Sequence, residues 1–139
     1  PNYTEACLLT DSEYKEEGIS EKDAYELIDK LRAIGSHSVL ITSCIVEGQH
    51  AVVGFNHLTE EYFLLPYEEI PVQFPGTGDI FSAACAGAMV RGKGLPDALR
   101  LAADFTLACI QATQRDPNAP WYGVEFEKAL HLLPGLLER

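Results

Sequence analysis

The sequence predicts an α/β fold in which helices pack on a sheet. Three observations carry that expectation. The β-branched run Ser38-Val39-Leu40-Ile41-Thr42 has the texture of a strand buried on both faces, as in a parallel sheet. Two further strand-like runs follow it, with turn signals between them. On either side of this block, apolar residues recur at helical spacing.

In chain order, Pro1-Asn2 reads as an extended or turn dipeptide that hands over to a short helix, Thr4 to Thr10, with Thr4 or Asn2 available as its cap. Asp11 to Gly18 is a polar loop. Ser20 caps a second helix, Glu21 to Ile34, with Asp23 three residues on in the manner of a capping box. Its stripe is Ala24, Leu27, Ile28, Leu31 and Ile34, and Gly35 supplies the stop. After the Ser38–Thr42 strand, Glu47-Gly48 turns the chain into Gln49 to Phe55, and Asn56-His57 leads to Tyr62 to Leu65. These runs are expected as antiparallel additions to the sheet. Pro66, Pro71 and Pro75 punctuate the exit.

Ile80 to Arg91 is rich in small residues (Ala83, Ala84, Ala86, Gly87, Ala88) that let a helix approach its neighbours closely, and Gly92 and Gly94 break it. Pro96 starts a long helix to about Gln114, with Leu99, Ala102, Phe105, Ala108, Cys109 and Ala112 on one face. A linker, Arg115–Pro120, precedes a last helix, Val124 to Leu133, halted by Pro134-Gly135.

With 139 residues, 47% of them hydrophobic, the chain is expected to be one domain with a real core. Asp and Glu number 21 against 10 for Lys and Arg, a net charge of −11. That balance argues against a nucleic acid or an anionic membrane surface as partner, since both call for a basic footprint. It does not exclude a nucleotide, because a few oriented amides can hold phosphates locally. No apolar run approaches the roughly 18–20 residues of a membrane span. Cys7, Cys44, Cys85 and Cys109 form no C-x-x-C pair, and His37, His50, His57 and His131 lack ligand spacing. Neither a disulfide framework nor a structural metal is expected, only buried thiols in a reducing cytosol. The chain opens on Pro1 rather than Met, which fits a piece of a longer polypeptide.

Three short stretches can carry chemistry. Gly76-Thr77-Gly78-Asp79 lies between a proline-broken loop and an Ala-rich helix, so its amides fall at a helix N-terminus. Successive N–H groups and the helix dipole there make an anion pocket, with the Asp79 carboxylate at its rim to accept the proton of an attacking hydroxyl. The same four residues also describe a tight turn with Asp as an ordinary cap. In Asn2-x-x-Glu5 an amide and a carboxylate share a helix face and can hold water around Mg²⁺, or Glu5 simply complements the dipole. Thr42-Ser43 follows the strand at its C-terminal end, where open sheets bind ligands; its hydroxyls can donate to phosphates or bond local backbone.

Together these stretches resemble the ribokinase-like superfamily, and within it the pyridoxal kinase branch. The matching segments are Pro1-Asn2-Tyr3-Thr4-Glu5-Ala6, Val39-Leu40-Ile41-Thr42-Ser43, Phe74-Pro75-Gly76-Thr77-Gly78-Asp79, the paired helices to Thr113, and Tyr122-Gly123-Val124-Glu125-Phe126-Glu127. Sugar kinases of the superfamily usually have alanine where Thr77 stands, and hydroxymethylpyrimidine kinases usually have cysteine where Asp79 stands. The resemblance implies a three-layer sandwich, with a mostly parallel sheet, an antiparallel excursion and helices on both faces. It also implies transfer of phosphate from ATP, with Mg²⁺, to the 5′-hydroxymethyl group of a pyridoxal-type alcohol. Asp79 would be the catalytic base, Gly76, Thr77 and Gly78 the anion hole, Thr42 and Ser43 contacts to the ATP phosphates, and Asn2 and Glu5 neighbours of Mg²⁺. Family members are about twice this length, one large α/β domain. Residues 1–139 are therefore expected as a single unit, the C-terminal half, whose partner is the N-terminal half with most of the pyridine contacts. The intact enzyme is expected as a cytoplasmic homodimer. A hydroxymethylpyrimidine or sugar kinase, and a non-catalytic nucleotide-binding fragment, are the alternatives.

Overall fold

Side-chain caps set the first two helix boundaries. In the computed structural model, whose described residues are 1–67 and 74–138, helix α1 spans Tyr3–Leu9 and helix α2 spans Glu21–Ala33. Asn2, not Thr4, caps α1, so the helix opens one residue earlier than its sequence suggests. Ser20 caps α2 as expected, accepting from the Asp23 amide at 3.1 Å. The chain divides into two compact units, Pro1–Ile70 and Pro71–Arg139. Pro71 lies outside the described residues.

In the first unit, strands β1 (Val39–Val46), β2 (Gln49–Asn56) and β3 (Glu61–Pro66) form an antiparallel sheet in the order β1-β2-β3. Glu47 (φ 51°) and Gly48 (φ 82°) make the two-residue turn between β1 and β2, the type whose twist matches the flanking strands. Pro66 ends β3 rather than lying in a loop. Along β1, Val39, Ile41, Cys44 and Val46 are buried, while the residues between them are half-buried or exposed. Burial therefore alternates, because α1 and α2 cover one face. The core there joins Tyr3, Ala6 and Cys7 to Leu27, Ile28 and Leu31, and both groups to Ile41, Cys44, Val53 and Phe55.

The outer edge of β1 takes one isolated parallel bridge, Ile19 to Val46: the Ile19 amide donates to Ile45 O at 2.9 Å and the Glu47 amide to Ile19 O at 3.0 Å. Gly18 makes this approach possible. Its φ is +96°, and a Cβ there would stand 2.5 Å from the Ile45 carbonyl oxygen. Gly18→Ala is accordingly expected to cost about 1–3 kcal/mol, from strain and the forced parting of the bridge. Denaturant unfolding of the two proteins side by side measures this; equal midpoints would refute it.

In the second unit, α3 (Thr77–Val90) and α4 (Leu95–Arg115) are joined by a short turn and pack on each other. α3 ends in a Schellman arrangement, with Gly92 N donating to Met89 O and Lys93 N to Ala88 O. α4 buries Leu95, Ala98, Leu99, Leu101, Ala102, Phe105, Cys109, Ile110 and Thr113, a wider stripe than its large residues alone mark out. The expected last helix is instead a 3₁₀ segment, Phe126–Leu132, that runs directly into α5 (Leu133–Glu138). Pro134-Gly135 does not halt it. Pro134 falls in the first turn of α5, where a missing N–H loses no helical bond.

This C-terminal segment is tied to α4 by Thr113. Its buried hydroxyl donates to Cys109 O at 2.8 Å and accepts from the Glu125 amide at 2.9 Å. Lys128 adds a surface brace to Asp116 and Glu125, and its ammonium holds the Asp116 carboxyl below the usual carboxylate range. Phe74 and Ile80, on either side of the glycine turn, pack in the same apolar cluster as Phe105, Cys109 and Val124. That cluster fixes where α3 begins.

Candidate functional site

At the start of α1, Asn2 and Glu5 hold each other. The Glu5 amide donates to Asn2 Oδ1 and the Asn2 amide to Glu5 Oε2, both at 2.8 Å, a reciprocal capping box. One oxygen of each side chain is thereby engaged, and the amide Nδ2 of Asn2 and Oε1 of Glu5 stand outside the box. Beneath them Tyr3 is buried, and its hydroxyl accepts from the Lys15 amide at 3.3 Å. Burial pushes the Tyr3 phenol above its usual pKa.

Thr42 and Ser43 are not beyond the end of the strand. β1 continues to Val46, and between Ile41↔Val53 and Cys44↔Ala51 these two residues face the single residue Val52. They form a β-bulge, a device that re-aims side chains and is common beside active sites. The bulge releases the Thr42 amide from the ladder, and it donates instead to Pro1 O at 3.0 Å. Asn2, Glu5 and Thr42 are thus drawn together through the backbone of Pro1. Thr42 is half-buried and Ser43 exposed. Cys44, next along β1, is fully buried, which pushes its thiol up to about 12, with Cys7 adding to the effect.

The glycine motif lies in the second unit. α3 begins at Thr77, three residues before the expected start, and Gly76 is its N-cap with φ 88°. Thr77, Gly78 and Asp79 therefore make up the first turn. The first intrahelical bond is Ile80 N to Gly76 O at 3.1 Å, and no side chain caps the three preceding amides. A residue with a side chain at Gly76 would be strained by that φ, and a Cβ at Gly76 or Gly78 would meet nothing within 4 Å. Asp79 is exposed in the same turn, and Thr77 Oγ1 donates to Phe74 O at 3.3 Å. An open cradle of amides with a carboxylate beside it can bind a tetrahedral anion and take a proton next to it.

Among the described residues, no cluster of three or more His, Cys, Asp or Glu could hold a metal ion, and no helix is long and apolar enough to cross a membrane. Thr113 is the anchoring residue that sequence reasoning missed. Its signal was a hydroxyl on an apolar helix stripe, four residues after Cys109.

An uncapped, glycine-opened helix start is the kind of helix end that can bind a phosphate group, and the comparisons supply the class. Residues 1–120 match the phosphomethylpyrimidine kinase family, and the chain belongs to it. It is 31% identical over 120 residues to the pyridoxal kinase of Arabidopsis thaliana, covering 79% of this chain and 38% of that one. A Bacteroides thetaiotaomicron protein described as a phosphomethylpyrimidine kinase, crystallised with pyridoxal, is similar at TM-score 0.82 and 33% identity, over 96% of this chain and 48% of its own. The pyridoxal kinase of Bacillus subtilis, solved as an ADP complex, gives a TM-score of 0.71 at 25% identity, over 95% and 48% respectively. The fold is thus the ribokinase-like α/β fold of these kinases. The chain spans less than half the length of each of these relatives.

Proposed function

We propose that residues 1–139 act as a single unit, the catalytic and phosphate-binding half of a longer kinase. That kinase transfers the γ-phosphoryl group of ATP to the 5′-hydroxymethyl group of a pyridoxal-type alcohol. The observation that carries this reading is the first turn of α3, where the amides of Thr77, Gly78 and Asp79 are uncapped and the Asp79 carboxylate stands in the same turn. In the transfer, the hydroxyl oxygen of the alcohol attacks the γ-phosphorus and its proton passes to Asp79. The bond from that phosphorus to the β–γ bridging oxygen breaks, and ADP leaves. Charge on the transferred group is taken up by the amides behind Gly76, fixed in place before the reaction begins.

Thr42 and Ser43 supply hydroxyls to the ATP phosphates from the bulge. Asn2 and Glu5 serve the Mg²⁺ that accompanies the nucleotide and neutralises phosphate charge. Glu5 Oε1, outside the capping box, would accept from a water of that ion, and Asn2 would do so only through the second lone pair of Oδ1, since Mg²⁺ keeps much of its hydration. The N-terminal half is the proposed partner. Support for it comes from the relatives' length and from the exposed apolar residues Met89 and Val90 on α3, which is apolar on most of its surface. A cytoplasmic homodimer of the intact kinase rests on the family resemblance alone.

The family model favours a second reading, a hydroxymethylpyrimidine as acceptor. Against it stands Asp79, at the position where those enzymes usually carry cysteine. Assaying the full-length kinase with ATP against pyridoxal, pyridoxine, pyridoxamine, hydroxymethylpyrimidine and ribose separates these. A kcat/KM preference for the pyridine alcohols is expected. Preference for the pyrimidine would transfer the assignment, and nucleotide binding without any phosphorylated product would make the chain a non-catalytic binder.

A further inference from the structure

His37 and His57 are twenty positions apart in the sequence, and neither belongs to a ligand motif. The strand register brings them face to face. The β1–β2 ladder ends with Val39 opposite Phe55, and continuing its register two residues beyond the strands brings His37 opposite His57. The His57 amide donates to Ser38 Oγ at 3.0 Å, which pins the β2–β3 turn against the entrance to β1. The two rings are 5.0 Å apart between centroids, at 37° to each other, and both side chains are exposed.

We propose that this cross-strand pair is a binding site for a late first-row divalent cation such as Zn²⁺ or Ni²⁺. Two imidazoles that share one ion, each at about 2.0–2.1 Å from a ring nitrogen, have centroids about 5 Å apart at a tetrahedral angle. The observed 5.0 Å between centroids meets that separation, and rotation of the two exposed side chains is what brings one nitrogen of each ring to the ion. Imidazole nitrogens select zinc, nickel and copper over the hard, oxygen-seeking Mg²⁺, so this site does not compete for the metal that serves ATP. Exposure leaves the remaining coordination positions to water. Arg32, stacked over Phe55 at 3.5 Å, is paired with Asp29 at 3.1 Å, which offsets its charge. The net charge of −11 also favours a bound cation. Bound there, the ion staples the entrance of β1 to the turn beyond β2.

The test is titration of the full-length kinase with ZnCl₂ by calorimetry, and with NiCl₂ while ¹H–¹⁵N spectra are recorded. The expected result is one saturable Zn²⁺ site, weakened on the order of tenfold or more by His37→Ala and by His57→Ala separately, and unchanged by His131→Ala. Paramagnetic Ni²⁺ is expected to broaden the amides around residues 36–39 and 56–59 first. The proposal is overturned if either single variant binds Zn²⁺ as the parent does, if broadening centres on Pro1 or His131, or if no saturable binding is seen.

Discussion

Asp79→Ala in the full-length kinase is expected to lower kcat by about 10²–10⁴-fold, the usual contribution of a positioned general base, while the KM for ATP changes little. The two effects separate because different atoms carry them. In the proposed reading nucleotide phosphate is held by main-chain amides of the first turn of α3, which alanine leaves in place. Only the proton acceptor is removed. Asp79 is exposed, so its loss from the first turn costs about 0.3–1 kcal/mol of dipole interaction, too little to unfold the helix. Asp79→Asn sharpens the test, since it preserves size and hydrogen bonding but takes no proton, and it should match alanine in kcat. Steady-state kinetics against both substrates, with unfolding midpoints as control, decide the matter. Turnover within a few-fold of the parent would place the base elsewhere.

Much of this was legible before any coordinates. Ser20, Asp23 and the spacing of Ala24, Leu27, Ile28 and Leu31 specify α2 to within a residue, because cap and stripe agree. Glu47-Gly48 specifies the hairpin turn for the same reason. The candidate residues Asn2, Glu5, Thr42, Ser43 and Gly76 to Asp79 can be named from the sequence, but their local settings cannot. The sequence places the motif at the N-terminus of a helix starting at Ile80, whereas the left-handed φ of Gly76 lets Thr77 enter the helix at once, so the motif becomes the first turn itself. The bulge at Thr42-Ser43 could not be read from one strand, since it exists only in the mismatch with Val52 opposite. Pro134 misled because proline ends a helix from within but is tolerated in a first turn. The facing of His37 and His57 likewise depends on register, which a periodicity argument does not supply.

Gly78→Val separates the cradle from the base. Gly78 is the second residue of α3, its φ is not left-handed, and a Cβ there meets nothing within 4 Å. Valine is therefore expected to fold at no cost, and helix propensity favours it over glycine by a few tenths of a kcal/mol. Its two methyl groups would nonetheless stand among the uncapped amides, in the volume a phosphate must enter. Transfer should be abolished, and ATP affinity should fall with it, whereas Asp79→Ala spares ATP affinity. Valine at Gly76 would be a poor substitute for this experiment, because its φ of 88° would add strain and confuse folding with binding. If Gly78→Val keeps both its unfolding midpoint and its kinetics, the anion is not held at this helix start. If it loses only kcat and keeps ATP affinity, the amides act on the transferring group and not on the resting nucleotide.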